Sequence, residues 1–166
     1  MAVSGIGGFK YFFILVDDIS GYITIFLIQA KSQALQHYKT FCEQGSNQLY
    51  KRVTQLRCDN TMEFLTKEFA TYLNTQGTVL QQIPDYTPEL NGTAECNPKT
   101  LMNMGCTIPQ NAQLPKNLWA EAVVAAAFIK NLYNSTKKPT PLELWYGFKP
   151  GVSILTVYGC KVYNSQ

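Results

Sequence analysis

The sequence predicts an α/β domain in which a β-hairpin is followed by strand–helix–strand units. Three observations predict it. Two aromatic and β-branched runs, "KYFFILVD" at 10–17 and "YITIFLIQ" at 22–29, are joined by a link so short that only an antiparallel turn can connect them. Two further apolar runs, at 52–59 and 78–84, are separated by a stretch of helical spacing. Hydrophobic residues make up 46% and charged residues 15% of the 166 residues, enough apolar surface for the core of one domain.

The elements follow in order. Residues 10–17 form a buried strand, Gly21 in "DISGY" turns the chain, and residues 22–29 return it. Ser32 caps a helix over 33–48, whose apolar positions Leu35, Tyr38, Phe41 and Cys42 recur at helical spacing. "RVTQLRCD" (52–59) is a third strand. An amphipathic helix over 63–77 carries Phe64, Phe69, Tyr72 and Leu73 in its stripe and ends at Gly77. "TVLQQIP" (78–84) is a fourth strand, stopped by Pro84, and "DYTPELNG" is a loop rich in turn residues. From about 92 to 106 the pattern is helical, with an interruption at Pro98. A long helix follows over 116–134, then a short one over 140–147 and a final strand over 155–164. The whole is one domain over 1–166, with its core at about 6–150 and a strand extension at 151–166.

Composition excludes several classes. Net charge is +3, too small by itself to establish a nucleic-acid partner. Five cysteines, with no CxxC pair and no clustered histidine, argue against a disulfide scaffold or a zinc site and for a reducing compartment. "MAVSGIGGF" lacks the basic start of a secretory signal, and no run approaches the roughly 18 apolar residues of a membrane span. Trp119 and Trp145 sit among apolar neighbours, as core residues do, and the cysteines read as small buried hydrophobes.

Chemistry centres on "LRCDNTMEF". Asp59 stands at the end of a strand, where an Asp either caps the next helix or, on the carboxyl edge of an open sheet, serves as a metal ligand. Cys58 falls on the opposite face of the strand. Glu95 in "TPELNGTAE" is a second candidate, at the start of a helix after a Pro/Asn/Gly loop. Thirty-five residues lie between the two acids, and the intervening helix and strand can return the chain to the same sheet edge. Divalent ions need several such oxygens converging from different elements. Glu63, Glu68 and Glu89 lie nearby and keep the spacing from deciding the matter alone.

Taken in order, "FILVDDISGYITIFLI", "LRCDNTMEF", "YTPELNGTAE", "LWAEAVVAAAFIKNL", "TPLELWYGFKP" and "VYGCKVY" closely resemble the integrase catalytic core of copia-type LTR retrotransposons, from about residue 6 to the end. The resemblance implies a ribonuclease H-like fold, a mixed sheet flanked by helices, and a D,D-35-E triad that binds two Mg²⁺ or Mn²⁺ ions. It maps Asp59 to the middle Asp and Glu95 to the Glu, as catalytic residues and metal ligands. It places Asn91 and Lys99 against nucleic acid and makes 86–92 the loop beside the site. The implied reaction is 3′-end processing and strand transfer into target DNA. The implied setting is intracellular and nuclear, with DNA and possibly further copies of the chain as partners and no membrane.

The match departs in two places. The family's first Asp lies on a central strand that precedes the hairpin, and "MAVSGIGG" contains no acid. Asp17 and Asp18 fall instead at the hairpin turn, which they shape. Without the central strand, backbone groups on two apolar strands lose partners at roughly 1–3 kcal/mol each, against a usual total stability of about 5–15 kcal/mol. Either an upstream segment of the parent protein supplies that strand or the sheet closes differently. After Glu95, Cys96-Asn97-Pro98-Lys99 replaces the family's basic run. Lys99 remains as a phosphate contact, while Lys116, Lys130, Lys137, Lys138, Lys149 and Lys161 read as solvated surface. The expectation is therefore an integrase core fragment, inactive as these 166 residues alone. The alternatives are a non-catalytic nucleic-acid-binding or protein-interaction domain, and a slice of a longer, active polyprotein.

Overall fold

The structure is a computed structural model that describes residues 3–59, 66–83, 88–133, 139–151, 153, 155 and 158, with side chains described for all of these except 59, 83 and 88–98. The chain divides into two compact units, Met1–Leu27 with Cys96–Gln166, and Ile28–Glu95.

The hairpin of the first unit is β1 (Tyr11–Val16) and β2 (Ile23–Ile28), paired as a two-stranded sheet, with Ile28 falling at the boundary of the second unit. Phe13 and Leu15 are buried on alternate positions of β1. The turn is built by Asp17, as expected. Its Oδ2 accepts from the Ser20 amide at 2.8 Å and the Ser20 hydroxyl at 2.6 Å, while Gly21, at φ 71°, takes the left-handed position.

Helix α3 (Pro88–Asn111) corrects the expected interruption, because it runs unbroken through Pro98. It also begins at Pro88, inside the stretch expected as a loop, where proline costs little in a first turn. Pro98 cannot donate to the carbonyl of residue 94, a penalty of about 3 kcal/mol in a helix interior. Packing beyond it offsets that. Leu101 is fully buried with Ile23, Ala126 and Ala127, and Gly105 meets Val123 closely. A single 3₁₀ turn (Lys116–Leu118) leads into α4 (Trp119–Leu132). Trp119, Ala120 and Val123 form a second cluster with Phe9, Phe12, Ile25 and Leu27 against them. Trp119 is core, as expected, with its Nε1–H donating to the Val3 carbonyl at 3.0 Å. The short helix α5 (Pro141–Tyr146) has a complete capping box: Thr140 Oγ1 accepts from the Glu143 amide and Glu143 Oε2 from the Thr140 amide. Trp145 stacks on Tyr22 at 5.1 Å between ring centroids.

In the second unit, α1 (Ala34–Leu49) follows a 3₁₀ turn at Lys31–Gln33. Ser32 is not its cap. Gln33 stands at that position without a side-chain cap bond to α1; its Oε1 instead accepts from the amides of Gln29 and Ala30, reaching back across the 3₁₀ turn. Strand β3 (Gln55–Asp59) pairs in parallel with β4 (Val79–Ile83), and α2 (Lys67–Gln76) connects them, capped by Thr66 and closed by Gly77 at φ 67°. Tyr38 of α1, 1% exposed, packs on Phe69 of α2 at 5.0 Å between ring centroids. Among the described residues, β1–β2 and β3–β4 are separate two-stranded sheets.

The strand expected over 155–164 lies largely outside the described residues; Leu155 and Tyr158, which are described, are not in a strand. Cys42, Cys58 and Cys106 are free thiols. Cys58 is buried, but Cys106 is exposed, contrary to the reading of the cysteines as core, because it falls on the outer side of α3 from Leu101 and Gly105.

Candidate functional site

The site is built from the carboxyl end of β3 upward. Leu56 and Cys58 are buried while Gln55 and Arg57 are exposed, the period-2 alternation of a strand with one covered face. Strand pairing then fixes what lies beside each: Gln55 opposite Val79, Arg57 opposite Gln81, and Asp59 opposite Ile83. Asp59 is thus the last residue of a strand held by a backbone ladder and by the buried side chains before it.

Glu95 lies on α3, and its backbone belongs to the same compact unit as that of Asp59. Asn91 is on the same helix. The side chains of Asp59, Asn91 and Glu95 lie outside the described ones, as do residues 84–87 of the adjoining loop. Lys99 is four residues beyond Glu95, exposed on α3. Among the described residues, no group of three or more His, Cys, Asp or Glu side chains converges on a metal position. As a donor set, two carboxylates are hard oxygen ligands of the kind Mg²⁺ and Mn²⁺ take.

The exposed face of β3 and β4 carries a polar ladder that the sequence reading missed. Gln81 Oε1 accepts from Arg57 Nε at 3.2 Å and also from Gln55 Nε2. The signal was present in the alternation of "QLRCD" and "VLQQI", but apolar strands in α/β domains are usually covered on both faces. Away from this edge, a cavity of about 510 Å³ between α1 and α2 is lined by Leu35, Lys39, Lys67, Glu68, Thr71, Tyr72 and Thr75. Lys39 stands over the Tyr72 ring at 5.0 Å. Behind it, burial pushes the Cys42 thiol and the Tyr38 hydroxyl above their ordinary values.

A hairpin, a parallel strand pair with its crossover helix, and a long helix after them make up the fold seen in integrase catalytic cores, the ribonuclease H-like fold. The fold is shared with the simian T-cell lymphotropic virus intasome solved in complex with PP2A regulatory subunit B56 gamma, at TM-score 0.63 and 17% identity over 93% of this chain and 54% of that one. It is shared also with the HTLV-2 integrase catalytic core domain in complex with magnesium. The trimeric form aligns at TM-score 0.56 and 17% identity over 78% of this chain and 80% of that one. The dimeric form gives 0.58 and 16% over 80% and 81%.

By sequence the chain is a homologue of the copia-type retrovirus-related Pol polyproteins. It is 29% identical over 167 residues to the Pol polyprotein from transposon TNT 1-94 of Nicotiana tabacum, covering 98% of this chain and 12% of that protein. The Pol polyproteins from transposons RE2 and RE1 of Arabidopsis thaliana are 29% and 28% identical over 97% and 93% of the chain, which spans 11% of each. No protein-family model matches the chain. No helix among the described residues is long and apolar enough to cross a membrane.

Proposed function

We propose that residues of about 6–150 form a single integrase core of a copia-type element, whose ancestral reaction is metal-dependent 3′-end processing of DNA and strand transfer into a target. Identity to Pol polyproteins along nearly the whole chain carries this reading. It is supported by the position of Asp59 at the end of a paired strand and of Glu95 in the same compact unit.

On this reading Asp59 and Glu95 supply the carboxylates for Mg²⁺ or Mn²⁺. When bound, the cations would sharpen the nucleophile and neutralise charge on the leaving oxygen. In processing, water attacks a phosphodiester and a 3′-hydroxyl is freed; in strand transfer, that hydroxyl attacks a target phosphodiester and displaces another 3′-hydroxyl. Lys99 neutralises a backbone phosphate and Asn91 donates to one, so both orient DNA rather than alter its bonds. The partners are the element's ends, the target DNA and further copies of the chain, and the place of action is the nucleus.

These 166 residues by themselves are proposed to be inactive, because two carboxylates hold two ions poorly and no acid precedes the hairpin to supply a third. The test is a strand-transfer assay with processed element-end duplexes and Mg²⁺ or Mn²⁺. No joined product is expected from these residues alone; robust turnover would overturn the inactivity. Salt-sensitive DNA binding that survives Asp59→Asn and Glu95→Gln would favour the non-catalytic nucleic-acid-binding reading. Absence of DNA binding would overturn both.

A further inference from the structure

The alternation along β3 decides which residues are neighbours. Leu56 and Cys58 are buried while Gln55 and Arg57 are exposed. By that period of two, position 59 is the next in the Gln55–Arg57 row, about 6.6 Å along the strand from Arg57. Both positions are fixed by the backbone ladder, which pairs Arg57 with Gln81 and Asp59 with Ile83. Of the residues in β3 (Gln55–Asp59) and β4 (Val79–Ile83), Arg57 and Asp59 are the two charged ones, and their charges are opposite. The guanidinium is anchored from the neighbouring strand. Gln81 Oε1 accepts from Arg57 Nε at 3.2 Å and also from Gln55 Nε2. The bond at Nε does not use the two terminal amino groups, and Arg57 makes a further contact besides Gln81. A planar fork of this kind fits a carboxylate, and one already restrained on a strand loses less freedom in holding it.

We infer that Arg57 is a positioning residue for the Asp59 carboxylate, holding it when no cation is bound and giving it up when one arrives. Gln81 keeps the guanidinium in place for this. The arginine and the ion then compete for the same oxygens, so Arg57 lowers cation affinity while it keeps the acid in a fixed place at the strand end. This rests on the proposed function in taking Asp59 as a metal ligand. It adds to that reading a residue outside the D,D-35-E set, one that acts through Asp59 and makes no bond to the ion.

The test titrates Mn²⁺ alone into the full 166-residue chain at fixed ionic strength, with free Mn²⁺ read by electron paramagnetic resonance. Arg57→Gln is expected to tighten Mn²⁺ binding about two- to fivefold, the size of one exposed ion pair released. A merely structural arginine would do the reverse, since its loss loosens the strand that carries the ligand. Arg57→Lys should stay nearer to wild type, because the charge remains while the fork is lost. Gln81→Leu should tighten binding by less than Arg57→Gln, the guanidinium being present but no longer anchored. In an Asp59→Asn background the gain from Arg57→Gln should vanish, because it passes through that carboxylate. Thermal melts without metal check that each exposed substitution leaves the fold intact. Unchanged or weaker Mn²⁺ binding in Arg57→Gln, or a gain that persists with Asp59→Asn, would overturn the role of Arg57. If Asp59→Asn alone still abolishes binding, the metal reading stands. Equal Mn²⁺ binding in wild type and Asp59→Asn, or none in either, would overturn that reading and this inference together.

Discussion

The side-chain amide of Asn131 and the backbone of Ile23 exchange two hydrogen bonds, Ile23 N–H to Asn131 Oδ1 and Asn131 Nδ2–H to the Ile23 carbonyl, each at 2.8 Å. Asn131 is 4% exposed, so a helix side chain here does what a neighbouring strand would do for both polar groups of one β2 residue. Asn131→Leu leaves a buried N–H and a buried carbonyl without partners and should cost about 2–4 kcal/mol, from two such groups at roughly 1–3 each less the gain in apolar burial. Asn131→Asp should be worse at neutral pH, since a carboxylate cannot donate to the carbonyl and brings a charge into the interior. Urea denaturation of the three proteins checks the order; a leucine variant as stable as wild type would remove the amide from the account of the fold.

Gly105 on α3 faces Val123 of α4 with no room for a side chain. A Cβ built there would lie 2.3 Å from Val123 Cγ2 on α4. Gly105→Ala should therefore destabilise by about 1–3 kcal/mol through overpacking, even though alanine is the better helix former by about 1 kcal/mol. Adding Val123→Ala opens the space, so the double variant should recover part of the loss. Measured additivity of the two substitutions in thermal denaturation would contradict this packing.

That contact also marks where sequence reading reached and where it stopped. Hydrophobic periodicity located the hairpin and the helices that became α1, α2 and α4, because each rests on side chains near in sequence. The passage of α3 through Pro98 was not legible. A proline penalty is local, whereas the packing of Leu101 and Gly105 that offsets it comes from residues about twenty positions further on. Ser32 lost the cap of α1 for a similar reason, since a 3₁₀ turn at Lys31–Gln33 precedes the helix and the Gln33 side chain closes the start of that turn instead. At the site, spacing left several acids open and the family resemblance picked out Asp59 and Glu95, while the place of Asp59 at a strand end followed from its apolar neighbours. The Arg57–Gln81 contact needed the pairing of two strands 24 residues apart, which no periodicity within one segment reveals.

Asp59 and Glu95 should act together on a cation without any turnover. A bound ion stabilises the folded state by about 2.7 kcal/mol when present at a hundred times its dissociation constant. Mn²⁺ should raise the unfolding midpoint of the 166-residue chain, and Asp59→Asn and Glu95→Gln should each remove most of the rise. Lys99→Ala should leave it unchanged, because a cation at a phosphate-contact position makes no bond to the metal. An equal Mn²⁺ shift in wild type and both carboxylate variants would place the ion elsewhere.

Alkaline pH should loosen the second unit through Tyr38. Burial, ahead of the nearby Cys42, raises this phenol well above its ordinary 10.0, and burial likewise raises the Cys42 thiol above 9.0. The folded chain keeps these protons over a range in which the unfolded chain has released them. Their contribution to stability is therefore whole below about pH 9, by the ordinary thiol value, and is lost as pH climbs toward the raised folded values. The Tyr38 hydroxyl is sealed from solvent and makes no hydrogen bond of acceptable geometry among the described residues. Tyr38→Phe removes a buried polar atom at little cost in volume. It should leave stability at neutral pH unchanged or raise it by about 1 kcal/mol, and it should flatten the fall in melting temperature between neutral and strongly alkaline buffer. A phenylalanine variant that melts markedly lower at neutral pH, or that falls as steeply as wild type, would mean that the hydroxyl is partnered and that the alkaline loss arises elsewhere.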